Sequence, residues 1–246
     1  MFYFDKISDK KVLKSDLIQD VEAFFTTKDC CIFTKDNTVA ENEIISQNRK
    51  TLANIFDIKE ENFITCNQTH GKNIEIANPG GIYPDCDALI LTEKNMGIFL
   101  NFADCTPIIL YDKVNKIGAV SHAGWRGTAQ KIAQLTAQKM IDEFCTKPQN
   151  ITALIGPCIG QCCFDVGEDV AQKLIQTVQN GKDFCIPQRG KTFVDLKGIN
   201  KTQLKEIGIK EIDVCSYCTV CDNQYFYSYR KENKTPLRHS AVLVLS

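Results

Sequence analysis

Apolar residues recur along this chain in two rhythms. Spacings of three and four predict amphipathic helices over 15–26 behind Ser15, 46–57 behind Ser46, 128–145 behind Thr128, 167–179 before Gly181 and 196–207 before Gly208. Short β-branched or aromatic runs predict strands at 31–34, 62–66, 73–77, 87–92, 97–102, 107–112, 117–122, 151–155, 212–216, 224–230 and 239–245. Strands outnumber helices, and several central strands follow one another with no helix between them. That order points to an α+β fold of packed mixed β-sheets flanked by helices, not a regular doubly wound sheet. With no Ser/Gly-rich or Pro-rich linker, low-complexity run or internal repeat, residues 1–246 are expected to form a single domain.

Composition narrows the partners. The 29 basic and 30 acidic residues are interspersed, so the chain lacks the electrostatic footprint of a nucleic-acid or anionic-membrane binder. Small, neutral or anionic molecules fit better. The N-terminal MFYFDKISDKK lacks the order of a secretory signal, and the longest apolar stretches are broken by Asn101 and Asp104, so a soluble, cytoplasmic protein is expected. An odd count of 13 cysteines, in a chain this long, argues against a disulfide scaffold. Overlapping CxxC patterns at Cys215, Cys218 and Cys221, and a cluster at Cys158, Cys162 and Cys163, are too irregular for a zinc signature; packing thiols are expected there.

The candidate chemistry is concentrated in three turns. Of only three histidines, two sit in glycine-flanked turns, QTHGK at His70 and SHAGWRG at His122, on either side of FADC at Cys105. Two imidazoles and a thiolate suit zinc or copper, and three protein ligands leave one coordination position open. All three residues fall at predicted strand ends, where a rigid sheet can bring loops together. Taken singly, each is an ordinary turn histidine or structural thiol. Asp104 fits either a carboxylate that orients a ligand or a turn-former before Thr106-Pro107; Asp87 fits either a carboxylate aimed into the site or a strand-start residue. Arg126, just before the predicted helix start at Thr128, fits an anion-binding helix terminus or a solvated cap. Trp125, the only tryptophan, fits a stacking platform for a flat heterocycle or a core residue.

Absent motifs are informative as well. The chain contains no GxxxxGK, no dinucleotide fingerprint, no HExxH and no GxSxG, and it lacks the HxE signature of cytidine-type deaminases.

Asn48-Arg49, QTHG at 68–71, DALIL at 87–91, ADCTPIIL at 103–110, HAGWRGT at 122–128, IGPCIGQCCFDVG at 155–167 and CT with YFYSYR at 218–230 resemble, in order, the YfiH family. That family is also labelled peptidoglycan editing factor and multicopper polyphenol oxidoreductase laccase. The resemblance implies a sandwich of sheets flanked by helices, with zinc on His70, Cys105 and His122. It also implies nucleoside binding by Arg49, phosphorolysis of adenosine, inosine and methylthioadenosine, and adenosine deamination. Two departures are visible: Phe164-Asp165-Val166 stands where YEV is usual, and Leu237-Arg238 replaces a glycine-arginine pair.

The expected machinery is therefore a zinc centre with Arg49, Arg126 and Trp125 holding a purine nucleoside and phosphate, and Asp87 or Asp165 as proton donor. One alternative is a copper-dependent phenol oxidase, although a multicopper cluster needs more imidazoles than this chain owns. The other is a metal-free Cys105–His122 amidase or hydrolase acting on cell-wall precursors.

Overall fold

The computed structural model describes residues 1–30, 33–34, 40–188 and 190–245. In chain order, β1 (Phe2–Ile7), β2 (Lys10–Ser15), β3 (Glu22–Thr26) and β4 (Phe33–Thr34) precede helix α1 (Ala40–Phe56). A run of strands follows: β5 (Phe63–Cys66), β6 (Ile74–Ile76), β7 (Ile82–Tyr83), β8 (Ala88–Leu91), β9 (Met96–Phe102), β10 (Thr106–Asp112) and β11 (Ile117–Ala123). Helices α2 (Trp125–Ala129) and α3 (Ile132–Phe144) lead to β12 (Ile151–Ile155), β13 (Asp165–Val166) and α4 (Glu168–Ile175). The chain closes with β14 (Cys185–Gln188), β15 (Lys191–Val194), α5 (Leu196–Glu206), β16 (Glu211–Val214) and β17 (Leu237–Leu245).

Two large sheets pack face to face. The first runs β1-β2-β3-β17-β9-β5-β7, with β4 also on β17; the second runs β16-β12-β10-β11-β8-β6. Both mix parallel and antiparallel pairs: β5 is parallel to β9 and β12 to β16, whereas β10–β11 and β9–β17 are antiparallel. A three-stranded sheet, β13-β15-β14, packs with α4 at one side.

The period of two explains the layering. In β9, Ile98 and Leu100 point between the sheets while Phe99 points out under α1, where it meets Leu52 and Phe63. In β10, Ile109 and Tyr111 face the first sheet; Ile108 and Leu110 face the outer helices, against Ala133, Ala137 and Met140 of α3 and Leu204 of α5. Both faces of each central strand are buried, giving four layers: helix, sheet, sheet, helix. The α+β arrangement read from the sequence is the one observed.

Two expected elements are corrected. Residues 15–26 are not helical: Phe24 and Phe25 enter opposite faces of the first sheet as part of β3, and Ser15 Oγ donates to Asp213 Oδ2 at 2.6 Å instead of capping a helix. The spacing of Leu17, Ile18, Val21, Phe24 and Phe25 mimics a helix, but burial on two faces favours the strand. Residues 224–230 form turns, not a strand; Tyr225 N donates to Asp222 O at 2.9 Å and Arg230 N to Asp104 Oδ2 at 2.7 Å, so these amides are not spent on a ladder. Of the strand expected at 31–34, residues 31 and 32 lie outside the described residues. Among the described residues no helix is long and apolar enough to cross a membrane.

Candidate metal centre

The three turns converge. His70 lies in the loop after β5, Cys105 in the turn between β9 and β10, and His122 near the end of β11; their donor atoms all lie within 4.8 Å of one another. The imidazoles of His70 and His122 meet edge to face at 4.8 Å. Antiparallel β10–β11 places Thr106 opposite Ala123, bringing the Cys105 turn level with the strand end that carries His122. Gly124 permits the closeness: a Cβ there would stand 2.9 Å from Cys105 Sγ and 3.3 Å from His70 Cδ2.

Asp87 organises the centre from beneath. Its Oδ1 bonds His122 Nδ1 at 2.7 Å and accepts from His70 N at 3.0 Å; its Oδ2 accepts from Gly71 N at 2.6 Å and Thr69 N at 3.2 Å. His70 has φ +64°, a left-handed conformation that these bonds hold in place. With Nδ1 taken, His122 turns Nε2 toward the sulfur, the usual carboxylate–histidine arrangement behind a metal ligand.

The electrostatics match a ligand set. Burial alone would raise the Cys105 thiol, but the His122 and His70 rings bring it down to about 6. Burial likewise disfavours the His122 imidazolium, yet the Cys105 sulfur and the Asp87 carboxylate outweigh it and raise His122 to about 9. Burial opposes ionisation of Asp87 too, and bonds from His122 and the amides of Gly71 and His70 overcome it, taking the carboxyl to about 2. A thiolate and two imidazoles, one backed by a carboxylate, fit a borderline-soft cation with one position open.

A cavity of about 450 Å³ opens above the centre, with His70, Cys105 and His122 in its lining. Trp125 lines it, and the Arg126 guanidinium sits 4.3 Å from the Trp125 ring. Arg230 and Arg238 add two further guanidiniums, and Phe164 and Tyr229 two further aromatic rings. Arg238 donates to Thr235 O and Leu237 O, while Arg230 pairs with Asp165 Oδ1 at 2.6 Å. Asp104, with φ +82°, faces away from the ligands: it accepts from Thr219 Oγ1 at 2.6 Å and from Arg230 N, tying the 215–230 loop to the pocket rim.

Several expected roles change. Asp87 spends both oxygens on donors and is held ionised, so it positions His122 instead of supplying a proton. Asp165 is bound by Lys191 and Arg230, and the Lys191 bond leads in holding its carboxyl below the usual range, which ill suits a proton donor. Arg49 does not line the cavity; it donates to Gly81 O at 2.7 Å. The helix expected to start at Thr128 starts at Trp125, and Thr128 N donates to Gly124 O at 2.8 Å, so its amide is not free for an anion. Cys162 and Cys221 are exposed, not packing thiols. Arg230, Arg238 and Tyr229 escaped the sequence reading as site residues, although YFYSYR and Leu237-Arg238 had marked the segments that carry them.

The chain is similar over most of its length to several known proteins. The family model described as multi-copper polyphenol oxidoreductase laccase matches residues 29–246. The purine nucleoside phosphorylase of Deinococcus radiodurans is 30% identical over 201 residues, covering 82% of this chain and 77% of its own. Adenosine deaminase RL5, of unknown prokaryotic origin, is 29% identical over 240 residues, covering 87% and 90%. The crystal structure of YlmD from Geobacillus stearothermophilus superposes with a TM-score of 0.89 at 27% identity over 98% of each chain. That of the hypothetical protein YfiH from Bacillus licheniformis gives 0.89 at 27% identity over 99% of each. The family model spans most of the chain and the fold agrees over nearly its whole length, so the chain belongs to the YfiH family, the one described as multi-copper polyphenol oxidoreductase laccase.

Proposed function

We propose that this chain is a zinc-dependent purine nucleoside phosphorylase that also deaminates adenosine. The observation that carries the reading is the convergence of His70, Cys105 and His122 on the wall of a cavity that also holds three guanidiniums and a tryptophan. The names of relatives about 30% identical, purine nucleoside phosphorylase and adenosine deaminase, point the same way. Zinc bound there would act as a Lewis acid and bring the pKa of coordinated water to about 7.

The chain's own residues do the rest. Asp87 fixes the ring of His122, and the amides of His70 and Gly71 lock the turn against it. Trp125, Phe164 and Tyr229 offer flat apolar surface to a purine. Arg126, Arg230 and Arg238 supply the positive field that phosphate needs beside the sugar. In phosphorolysis a phosphate oxygen bonds to the anomeric carbon as the bond to purine nitrogen breaks, and the base leaves with that electron pair and takes a proton. Positioning and charge supply most of the acceleration for a step of this kind. In deamination, water adds at the six-position of adenine and ammonia departs.

Product analysis with adenosine tests the proposal. Zinc-loaded protein should form adenine and ribose 1-phosphate when phosphate is present, and inosine in its absence. Adenosine left unchanged by zinc-loaded protein would overturn it.

A second reading has one observation in its favour. Cys105, His122 and Asp87 stand in series as thiolate, imidazolium and carboxylate, the order of a cysteine hydrolase. A chelator separates the two: a hydrolase keeps its activity, a zinc phosphorylase loses it. The multicopper reading lacks ligands, because the third histidine, His239, is fully buried between the rings of Phe102 and Phe226, apart from the centre.

A further inference from the structure

Four cysteines meet at a second place. Cys162 and Cys163 lie in the turn after β12, and Cys218 and Cys221 in the loop after β16. Since β12 and β16 are parallel neighbours, with Ile155 opposite Val214, the chain leaves both strands at the same end. A bridge between Cys158 and Cys218 extends the pairing beyond the strands. The result is four sulfurs all within 4.8 Å of one another.

The spacing is that of shared ligands. Cys221 Sγ is 3.6 Å from Cys162 Sγ and 3.5 Å from Cys163 Sγ. A disulfide selects one partner at about 2.05 Å; here one sulfur is equally close to two. Four zinc–sulfur bonds of about 2.3 Å in a tetrahedron separate the sulfurs by about 3.8 Å. The backbone is also arranged for a thiolate: Gly160 N donates to Cys218 Sγ at 3.1 Å. A side chain at Gly160 would crowd the group, since its Cβ would lie 3.1 Å from Cys218 Cβ and 3.3 Å from Cys162 Sγ. Lys231 donates to Val220 O at 2.8 Å, placing an ammonium beside the Cys218–Cys221 turn.

We propose that Cys162, Cys163, Cys218 and Cys221 form a closed tetrathiolate site for a thiophilic divalent cation of the zinc class. On binding, four S–H protons go to solvent and four sulfur–cation bonds form, with no change of oxidation state. Four ligands leave no open position, so the role is structural. The ion joins two loops that build the wall of the nucleoside pocket. Phe164 follows Cys163 directly, and Arg230 Nη1 donates to Cys163 O at 3.4 Å.

Zinc content per folded chain tests this independently of the function reading. Native protein should hold two zinc ions, Cys105→Ala one, Cys221→Ser one, and the double variant none. Cobalt(II) added to zinc-free Cys105→Ala protein should give the intense thiolate charge-transfer and tetrahedral ligand-field bands of a four-sulfur site, a readout that leaves all four cysteines intact. Folded Cys105→Ala protein that binds neither zinc nor cobalt would overturn the proposal, as would a disulfide within the cluster in reduced, zinc-treated protein. A filled four-cysteine site beside a His70–Cys105–His122 centre that refuses zinc would support this proposal while removing the phosphorylase reading.

Discussion

Cys105 and Asp87 are the residues whose chemistry departs furthest from the ordinary. In metal-free protein Cys105 is a thiolate above about pH 6 and His122 stays protonated up to about pH 9, so the two form an ion pair between those limits. Peptide-resolved alkylation by iodoacetamide should find the Cys105 rate nearly constant from pH 8 down to about 7, about half that near pH 6, and falling further below. A rate following the usual thiol value near 8.5 would contradict the pairing. Asp87 acts through the ligands it holds. Asp87→Asn sets an amide N–H2 against the donors of His122, His70 and Gly71, and should weaken zinc binding by about 10–100-fold in a competition titration with a chromogenic chelator. Unchanged affinity would show that His122 needs no such partner.

At the scale of the element, loops tied to sheet ends make the site, and those ties decide what the sequence disclosed. The central strands were legible because β8 to β12 are buried on both faces and read as compact apolar runs. His70, Cys105 and His122 were legible because each ends or follows one of those strands beside a chemically distinctive turn. β1 to β3 were not: Phe24 and Phe25 resemble a helical stripe until the partner strands are known. The four-cysteine cluster was hidden for a related reason. Cys162 and Cys221 are 59 residues apart, and only the parallel pairing of β12 with β16 brings them together. Asp104 is the tie most open to test. Asp104→Gly keeps the left-handed backbone accessible and removes only the carboxylate that holds Thr219 and Arg230. Losing those bonds should cost about 1–3 kcal/mol locally. The expected result is faster hydrogen exchange over 218–230 and a KM for phosphate raised about tenfold, with zinc content preserved. Loss of zinc in that variant would mean that Asp104 supports the ligands directly.

Across the whole molecule, the two sheets enclose His239 as a neutral imidazole. Burial is the chief reason its pKa falls to about 3 from an ordinary 6.5, with Arg238 and Lys28 adding to the effect against the Pro157 carbonyl, which favours the protonated ring. The unfolded chain takes up a proton at His239 near pH 6.5, while the folded protein resists until about pH 3. The contribution is therefore complete above pH 6.5 and is lost as pH falls toward 3, reaching on the order of 5 kcal/mol. Urea midpoints of native protein should drop through that window, and His239→Gln should flatten part of the slope. Equal slopes for the two proteins would place the acid sensitivity elsewhere.

One cation held by His70, Cys105 and His122 is central to the proposed chemistry, and anomalous diffraction at the zinc edge from a zinc-grown crystal tests for it directly. The predicted result is a peak about 2.0–2.1 Å from one nitrogen of each imidazole and about 2.3 Å from Cys105 Sγ. Density for three ordered side chains with no peak between them, even with zinc on the four-cysteine cluster, would contradict it.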